Sequence, residues 1–370
     1  MKIVLTGAGG GHFYPLVAVA DRIRKEVFLQ KIVSPEIYFL SDAPYDEREL
    51  FNSQIKFIQI PAGKLRLYPS LKTFTDIFKT AYGLFVAFRE MYKLYPDVVF
   101  AKGGYSSFPV VFAARLLSIP VFIHESDTVA GRTTKWAGKF AARVAVSYGE
   151  AAKFFPMKNL ALTGQPIRTR LLPPIDFERK YPEGKERKVI LVLGGSQGSQ
   201  RLNDAVFTAL PEILEKYDVV HQVGTNNFED VKKLSESLLR NNPNKDRYFA
   251  DGFIDVALFY PKADLVITRA GSVLFELAIW QLPSIVVPIP ETISRDQRSN
   301  AYAYTEKGTG VVLEENNISK SVLMSQIKHF LEDKKVYEET IKACHKFDDS
   351  KSAATTIARE IISVALSHND

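Results

Sequence analysis

The chain has 370 residues, of which 46% are hydrophobic and 24% charged; this suits two globular domains and excludes a disordered or fibrous protein. A formal charge of +6 is mild for this length: it accommodates an anionic partner such as a phosphate ester or a lipid surface, and no nucleic-acid partner is expected. The single cysteine, Cys344, has no internal disulfide partner and fits a reducing compartment.

The chain opens on MKIVLTG, which already reads as a strand and carries no signal-peptide pattern. No window approaches the roughly 18 apolar residues of a membrane span. Residues 110–123 come nearest and are interrupted by Arg115, Ser118 and Pro120. A cytosolic protein able to touch a membrane from that side is expected. Short apolar runs at 3–6, 37–40, 98–101, 121–124 and 144–147 read as strands, with helical patterns at 15–26, 74–95, 109–117 and 133–140 between them. This alternation predicts βαβ units and a parallel sheet. Residues 171–188, rich in Pro, Glu, Lys and Arg, lack apolar periodicity and predict a linker. The pattern restarts with strands at 189–193, 219–223, 265–268 and 284–288. Asp251-Gly252-Phe253-Ile254 marks a strand end, and 352–366 is a closing helix with no strand after it.

Each half begins with a strand and a glycine loop, Gly7-Ala8-Gly9-Gly10-Gly11-His12 and Gly194-Gly195-Ser196-Gln197-Gly198. Such a loop lets the backbone approach a charged ligand and aims a helix N-terminus at it. A dinucleotide site competes poorly. His12 stands where the third glycine of GxGxxG belongs, Asp42 is too distant for the ribose acid, and the second loop has the wrong spacing. A ligand-free tight turn is the other competing reading. The hydroxyl of Ser196 and adjacent N–H groups suit a phosphate.

Several stretches together carry a resemblance. They are GAGGGHFYP at 7–15, GGYSSFP at 103–109, His124-Glu125-Ser126-Asp127, TGQPIR at 163–168, GGSQGSQRLND at 194–204, and RAGSVLFELA with LPSIVVPIP and RDQRSNA between 269 and 301. Across nearly the whole chain this resembles the MurG family of bacterial N-acetylglucosaminyltransferases, which make lipid II of peptidoglycan. The resemblance implies an α/β GT-B fold, two Rossmann-like doubly wound parallel-sheet domains facing a cleft. An acceptor- and membrane-facing domain would span 1–165, a linker 166–188 and a donor domain 189–351, with the closing helix 352–370 packed back on the first domain. It implies an inverting, metal-independent transfer with no cofactor, on the cytoplasmic face of the cell membrane.

The donor would be UDP-N-acetylglucosamine. Ser196, Gln197 and Gly198 match its phosphate loop, Arg168 its diphosphate arginine, and Ile254 the residue whose backbone reads uracil. Ser272, Glu276, Gln297 and Asn300 match the contacts to ribose and sugar. Two of these have support from chemistry: a guanidinium fork suits a leaving diphosphate, and a carboxylate in the apolar helix around Glu276 calls for a hydrogen-bonding partner. The acceptor, polyprenyl-linked lipid I, would meet Gly9, Gly10, Gly11, His12, Tyr105 and Asn203. A base must take a proton from the 4-hydroxyl of the muramyl sugar. His12, Glu125 and Asp127 are candidates, the first two foremost. By itself, a His beside glycines reads as readily as a helix cap. The chain departs from the family pattern at Asp127, where an amide is expected. It departs again at 271–276, one residue short, which leaves contacts near Ser272 open, and at Asp296, in a place often held by His or Gln.

Residues 64–93 interleave Lys64, Arg66, Lys72, Lys79, Arg89 and Lys93 with apolar groups. Phe74, Ile77, Phe78, Ala81, Tyr82 and Phe85 recur at helical spacing and are expected to pack on the sheet, while Leu71, Leu84 and Val86 fall off that stripe. A basic surface with protruding apolar groups suits an anionic leaflet, so residues 64–88 are the expected membrane-docking patch. The competing functions are another GT-B enzyme, such as a UDP-N-acetylglucosamine 2-epimerase or a glycolipid glycosyltransferase, and a non-catalytic nucleotide-sugar-binding scaffold.

Overall fold

The apolar runs become strands because both faces of each sheet are covered, so consecutive side chains are buried rather than alternate ones. In the computed structural model the described residues are 1–64, 71–195, 198–290, 295–347 and 349–367. They form two units, Met1–Thr169 with Asp349–Asp370, and Arg170–Asp348.

The first unit runs β1 (Lys2–Thr6), α1 (Gly10–Leu29), β2 (Glu36–Ser41), α2 (Glu47–Asn52), β3 (Lys56–Gln59), α3 (Leu71–Leu94), β4 (Val98–Ala101), α4 (Ser107–Leu116), β5 (Val121–Glu125), α5 (Arg132–Ala137), β6 (Arg143–Val146) and β7 (Leu160–Leu162). Its sheet has the order β3-β2-β1-β4-β5-β6-β7. Every pairing is parallel; Val4 faces Tyr38 of β2 on one side and Val99 of β4 on the other. The order reverses between β1 and β4, and in such sheets ligands bind beyond the carboxyl ends at that reversal.

Helix α3 corrects one expectation. Its sheet side is the run Gly83, Ala87 and Met91, all buried, while Ile77, Phe78, Tyr82, Phe85 and Tyr92 are 55–68% exposed. The part of the stripe expected to pack on the sheet that is described, from Ile77 to Phe85, is therefore the solvent face, and the side chain of Phe74 lies outside the described residues. Two apolar faces of one helix share a period, so spacing alone does not choose between them. Close approach does: a Cβ added to Gly83 would lie 1.7 Å from the Pro61 carbonyl oxygen. Only the small-residue face fits there.

The second unit runs β8 (Lys188–Leu193), α6 (Gln200–Lys216), β9 (Tyr217–Gln222), α7 (Phe228–Leu238), β10 (Tyr248–Asp251), β11 (Leu265–Thr268), α8 (Val273–Ile279), β12 (Ser284–Val286), α9 (Arg295–Thr305), β13 (Gly310–Val312), α10 (Lys320–Glu332) and α11 (Lys334–Cys344). The sheet order β10-β9-β8-β11-β12-β13 is parallel throughout, with its own reversal between β8 and β11. Both units are thus doubly wound and Rossmann-like. The low-periodicity stretch after Arg170 is tied into this unit. Arg179 donates to the carbonyls of Trp280, Ala263 and Tyr260 at 2.6–2.8 Å, and the Trp280 indole donates to Leu171 O at 2.7 Å.

The chain then returns to the first unit as α12 (Asp349–Ser367). Ile357, Ala358, Ile361, Ile362 and Ala365 share a core cluster with Leu16, Val19, Ala20 and Ile23 of α1. The start of α12 presses on Gly164, whose φ is +76°; an added Cβ there would sit 2.6 Å from Ser350 Oγ, which also accepts from Gln165 N at 3.1 Å. No helix among the described residues is long and apolar enough to cross a membrane.

Candidate active site

In the first unit the polar groups gather beyond the ends of β1, β4 and β5. Gly9, at φ +74°, ends the glycine turn, and its carbonyl accepts from the N–H groups of His12 and Phe13 at 3.2 Å. Positive φ suits glycine, because an L side chain there is strained. Gly10 and Gly11 open α1, and nothing lies within 4 Å of where a Cβ on Gly11 would stand. His12 follows, partly buried, with Nδ1 2.8 Å from Lys102 O. A carbonyl only accepts, so Nδ1 carries the proton and Nε2 the lone pair. Burial and the Lys102 cation lower the His12 pKa below its ordinary value, while Asp127 works against them. The ring is therefore neutral near pH 7 with its basic nitrogen unprotonated.

Glu125, the other foremost candidate base, ends β5 with both oxygens turned into the protein. Oε1 accepts from Asp127 N at 3.1 Å; Oε2 accepts from Gly131 N at 2.9 Å and Thr134 Oγ1 at 2.5 Å. It is buried, and burial followed by the Asp127 charge raises its pKa, while these three donors oppose the rise. So arranged, the carboxylate fixes the course of residues 126–131. Asp127 itself is partly exposed.

Tyr105 donates to Asp42 Oδ2 at 2.5 Å, and Tyr45 donates to Asp42 Oδ1 at 2.7 Å. Asp42, rejected as a ribose acid, instead grips the predicted acceptor tyrosine. Arg168 belongs to the first unit: its guanidinium lies 4.1 Å from the Tyr14 ring centre and 3.6 Å from Glu49 Oε1. Its Nε is buried without a hydrogen-bond partner. Sequence reasoning missed Lys102, which closes β4 and is 1% exposed. The signal was there, a lysine between a buried apolar strand and Gly103-Gly104, but no motif drew attention to it.

In the second unit, Gly198 has φ +79°, and a Cβ there would meet Val223 O at 2.2 Å. Ser196 and Gln197 lie outside the described residues. Ser199 caps α6 by accepting from Leu202 N and is held by the Arg269 guanidinium. Arg269 also reaches Glu315 Oε2 at 2.6 Å and the carbonyls of Val287 and Pro288 at 3.1 and 3.3 Å. One arginine thus ties the ends of the glycine loop, β11 and β12 together, a role its motif did not reveal.

Ile254, expected to read uracil through its backbone, is buried, and its N–H donates to Gln222 Oε1 at 3.3 Å. Glu276 is partly buried on α8, amid buried Leu274, Phe275, Leu277 and Ala278, and accepts from the Tyr260 hydroxyl at 2.6 Å. Ser272 stands immediately before α8. Gln297 accepts from Ile289 N at 3.4 Å, and Asn300 is buried on α9. The side chain of Asp296 lies outside the described residues. Asn203, expected at the acceptor, is fully buried on α6 of the second unit, where its amide donates to Val223 O and accepts from His221 Nε2, each at 3.1 Å.

Known proteins are similar to this chain along most of its length. Residues 3–146 match the glycosyltransferase family 28 N-terminal domain, and residues 189–357 match the glycosyltransferase family 28 C-terminal domain. The chain is 36% identical over 348 residues to the UDP-N-acetylglucosamine–N-acetylmuramyl-(pentapeptide) pyrophosphoryl-undecaprenol N-acetylglucosamine transferase of Clostridium kluyveri, covering 92% of this chain and 94% of that protein. It is 32% identical to transferase 2 of the same name from Bacillus cereus, over 97% and 99% of the two chains. The crystal structure of Acinetobacter baumannii MurG is similar with a TM-score of 0.73 at 26% identity, over 98% and 99% of the chains. A UDP complex of S. aureus MnaA, at 15% identity and a TM-score of 0.69, shares the fold.

Proposed function

Because the chain belongs to glycosyltransferase family 28, we propose that it is the inverting N-acetylglucosaminyltransferase of peptidoglycan synthesis. It moves N-acetylglucosamine from UDP-N-acetylglucosamine onto lipid I to give lipid II, on a GT-B scaffold of two Rossmann-like domains. The 4-hydroxyl oxygen of the muramyl sugar attacks the anomeric carbon, the bond to the diphosphate breaks, and UDP leaves with the electron pair. His12 takes the hydroxyl proton on Nε2. The observation that carries this role is the 2.8 Å contact between His12 Nδ1 and Lys102 O, which leaves the lone pair on the other nitrogen. Glu125 is assigned the orientation of residues 126–131, since three donors occupy its oxygens. The Gly198 loop and the N-terminus of α6 are assigned the donor diphosphate, where the positive end of a helix favours the departing UDP. Glu276 is assigned the ribose hydroxyls, with Tyr260 holding it in place.

The acceptor's polyprenyl tail requires a membrane surface. Peripheral docking on the cytoplasmic face through α3 is supported by its exposed Phe78, Tyr82, Phe85 and Tyr92, interleaved with exposed Lys79, Arg89 and Lys93. Residues 65–70 and the side chains of 71–74, Lys72 among them, lie outside the described residues.

The deciding experiment incubates the protein with UDP-N-acetylglucosamine and a lipid I analogue and follows UDP release and the disaccharide product. UDP release that depends on acceptor, with a β-linked product, is expected. Release without acceptor, or epimerisation of the donor, would overturn the reading.

A further inference from the structure

Lys102 is buried beside His12 for no reason the motifs supply. Its Nζ lies 2.6 Å from His124 Nδ1, 3.3 Å from Gln165 Oε1, and within hydrogen-bonding reach of Ser126 Oγ. His124 Nε2 is 3.0 Å from Gly164 O, so that ring keeps its proton on Nε2 and presents Nδ1 as an acceptor. Three acceptors thus converge on one amine, the number an ammonium can serve. None of the three is a carboxylate. A buried cation in such a setting is costly. Burial pulls the amine down to about 7, and Glu125 and Asp127 hold it up. The same residue's carbonyl fixes the His12 ring.

Asp127 brings an acid to the same turn. Its N–H is anchored on Glu125, one residue beyond Ser126 on Lys102. Both charges bear on the same imidazole, the Lys102 cation disfavouring its protonated form and the Asp127 acid favouring it.

We propose that Lys102 is a positioning residue which, with Asp127, forms an opposed charge pair on His12: Lys102 orients the ring through its carbonyl and faces it with a cation, and Asp127 supplies the balancing anion. This rests on the reading of His12 as the group that accepts the proton. The ionisable groups around the pair come from three elements: His12 from α1, Lys102 from the end of β4, and His124 and Glu125 from β5, with Asp127 just after it. Asp42, Tyr45 and Tyr105 form a separate hydrogen-bonded group; Tyr14 donates to Asp46 and carries the Arg168 guanidinium over its ring, with Glu49 3.6 Å from that guanidinium.

The signs are opposite. A cation disfavours imidazolium and an anion favours it. Lys102→Met should raise the His12 pKa and Asp127→Asn should lower it, each by on the order of 0.5–1 pH unit, a three- to ten-fold change in the protonated ratio at fixed pH. The double variant should return towards the parent value. The readouts are the NMR titration of labelled histidine in the full chain, with His12 assigned through His12→Gln, and the acidic limb of kcat/KM. Ring pKa and acidic limb moving together, in opposite directions in the two single variants, is the expected result. A His12 pKa that stays put in both, or moves the same way in both, overturns the proposal. If the ring pKa moves and the acidic limb does not, the charge pair stands and His12 is not the base. Should Lys102→Met fail to fold, Asp127→Asn decides by itself, since an Asp127 of purely structural role would leave the His12 titration unchanged.

Discussion

Glu125→Gln separates the two foremost candidate bases. In the parent, Oε1 serves one donor, Asp127 N, and Oε2 serves two, Gly131 N and Thr134 Oγ1. A glutamine keeps its oxygen on the side with two donors and turns its amide nitrogen towards Asp127 N. One charge-assisted bond is lost and two donors face each other, which costs about 1.5–3 kcal/mol. For units of this size that lowers Tm by roughly 3–12 °C. The loop carrying Asp127 loosens, but the lone pair of His12 is untouched, so kcat should fall less than about ten-fold. His12→Gln should instead cost about 10²–10⁴ in kcat, the usual contribution of a general base, with little change in Tm. The assays are thermal unfolding and acceptor-dependent UDP release. If Glu125→Gln abolished turnover as completely as His12→Gln and left Tm unchanged, Glu125 would be the base and the argument from its occupied oxygens would be wrong.

Asn203→Ala strands the His221 Nε2–H in the second core, while the Val223 carbonyl keeps its bond from Asn227 Nδ2; a loss of about 1–3 kcal/mol in urea unfolding is expected, with no rise in acceptor KM. Phe78→Ser with Phe85→Ser removes exposed apolar surface, so Tm should hold while binding to anionic vesicles, measured by co-sedimentation, falls at least several-fold. Gly83→Leu drives a side chain against the Pro61 carbonyl and should destabilise the protein by more than about 3 kcal/mol, or prevent folding, as followed by circular dichroism. Burial holds His221 at about 3, whereas an unfolded histidine titrates near 6.5. Between those values the unfolded state binds the extra proton, so stability rises with pH and is lost as pH falls from about 6.5 towards 3. His221→Gln should flatten that slope in urea titrations at successive pH values.

Most strands were legible because covered sheets give continuous apolar runs, as at 98–101 and 121–124. The strands that escaped notice, β3, β7 and β13, are short and largely unburied, so they lack that signal. The glycine loops were legible for a related reason: turns that hold Gly9 at φ +74° and Gly198 at φ +79° favour glycine and so leave a trace in composition. Glu276 stood out as a lone carboxylate on an apolar helix.

Other features depended on contacts between residues far apart in the chain. Nothing in the spacing of α3 chose its buried face; the Pro61 carbonyl against Gly83 did. Asn203 matched a motif, but its amide is committed to His221 and Val223. The tautomer of His12 is set by the carbonyl of a residue 90 positions away. The glycine-loop sequence by itself determined where a charged ligand can approach the backbone. Which nitrogen accepts a proton there, and which cation faces it, only the tertiary structure decided, because electrostatic influence follows distance in space and not order along the chain.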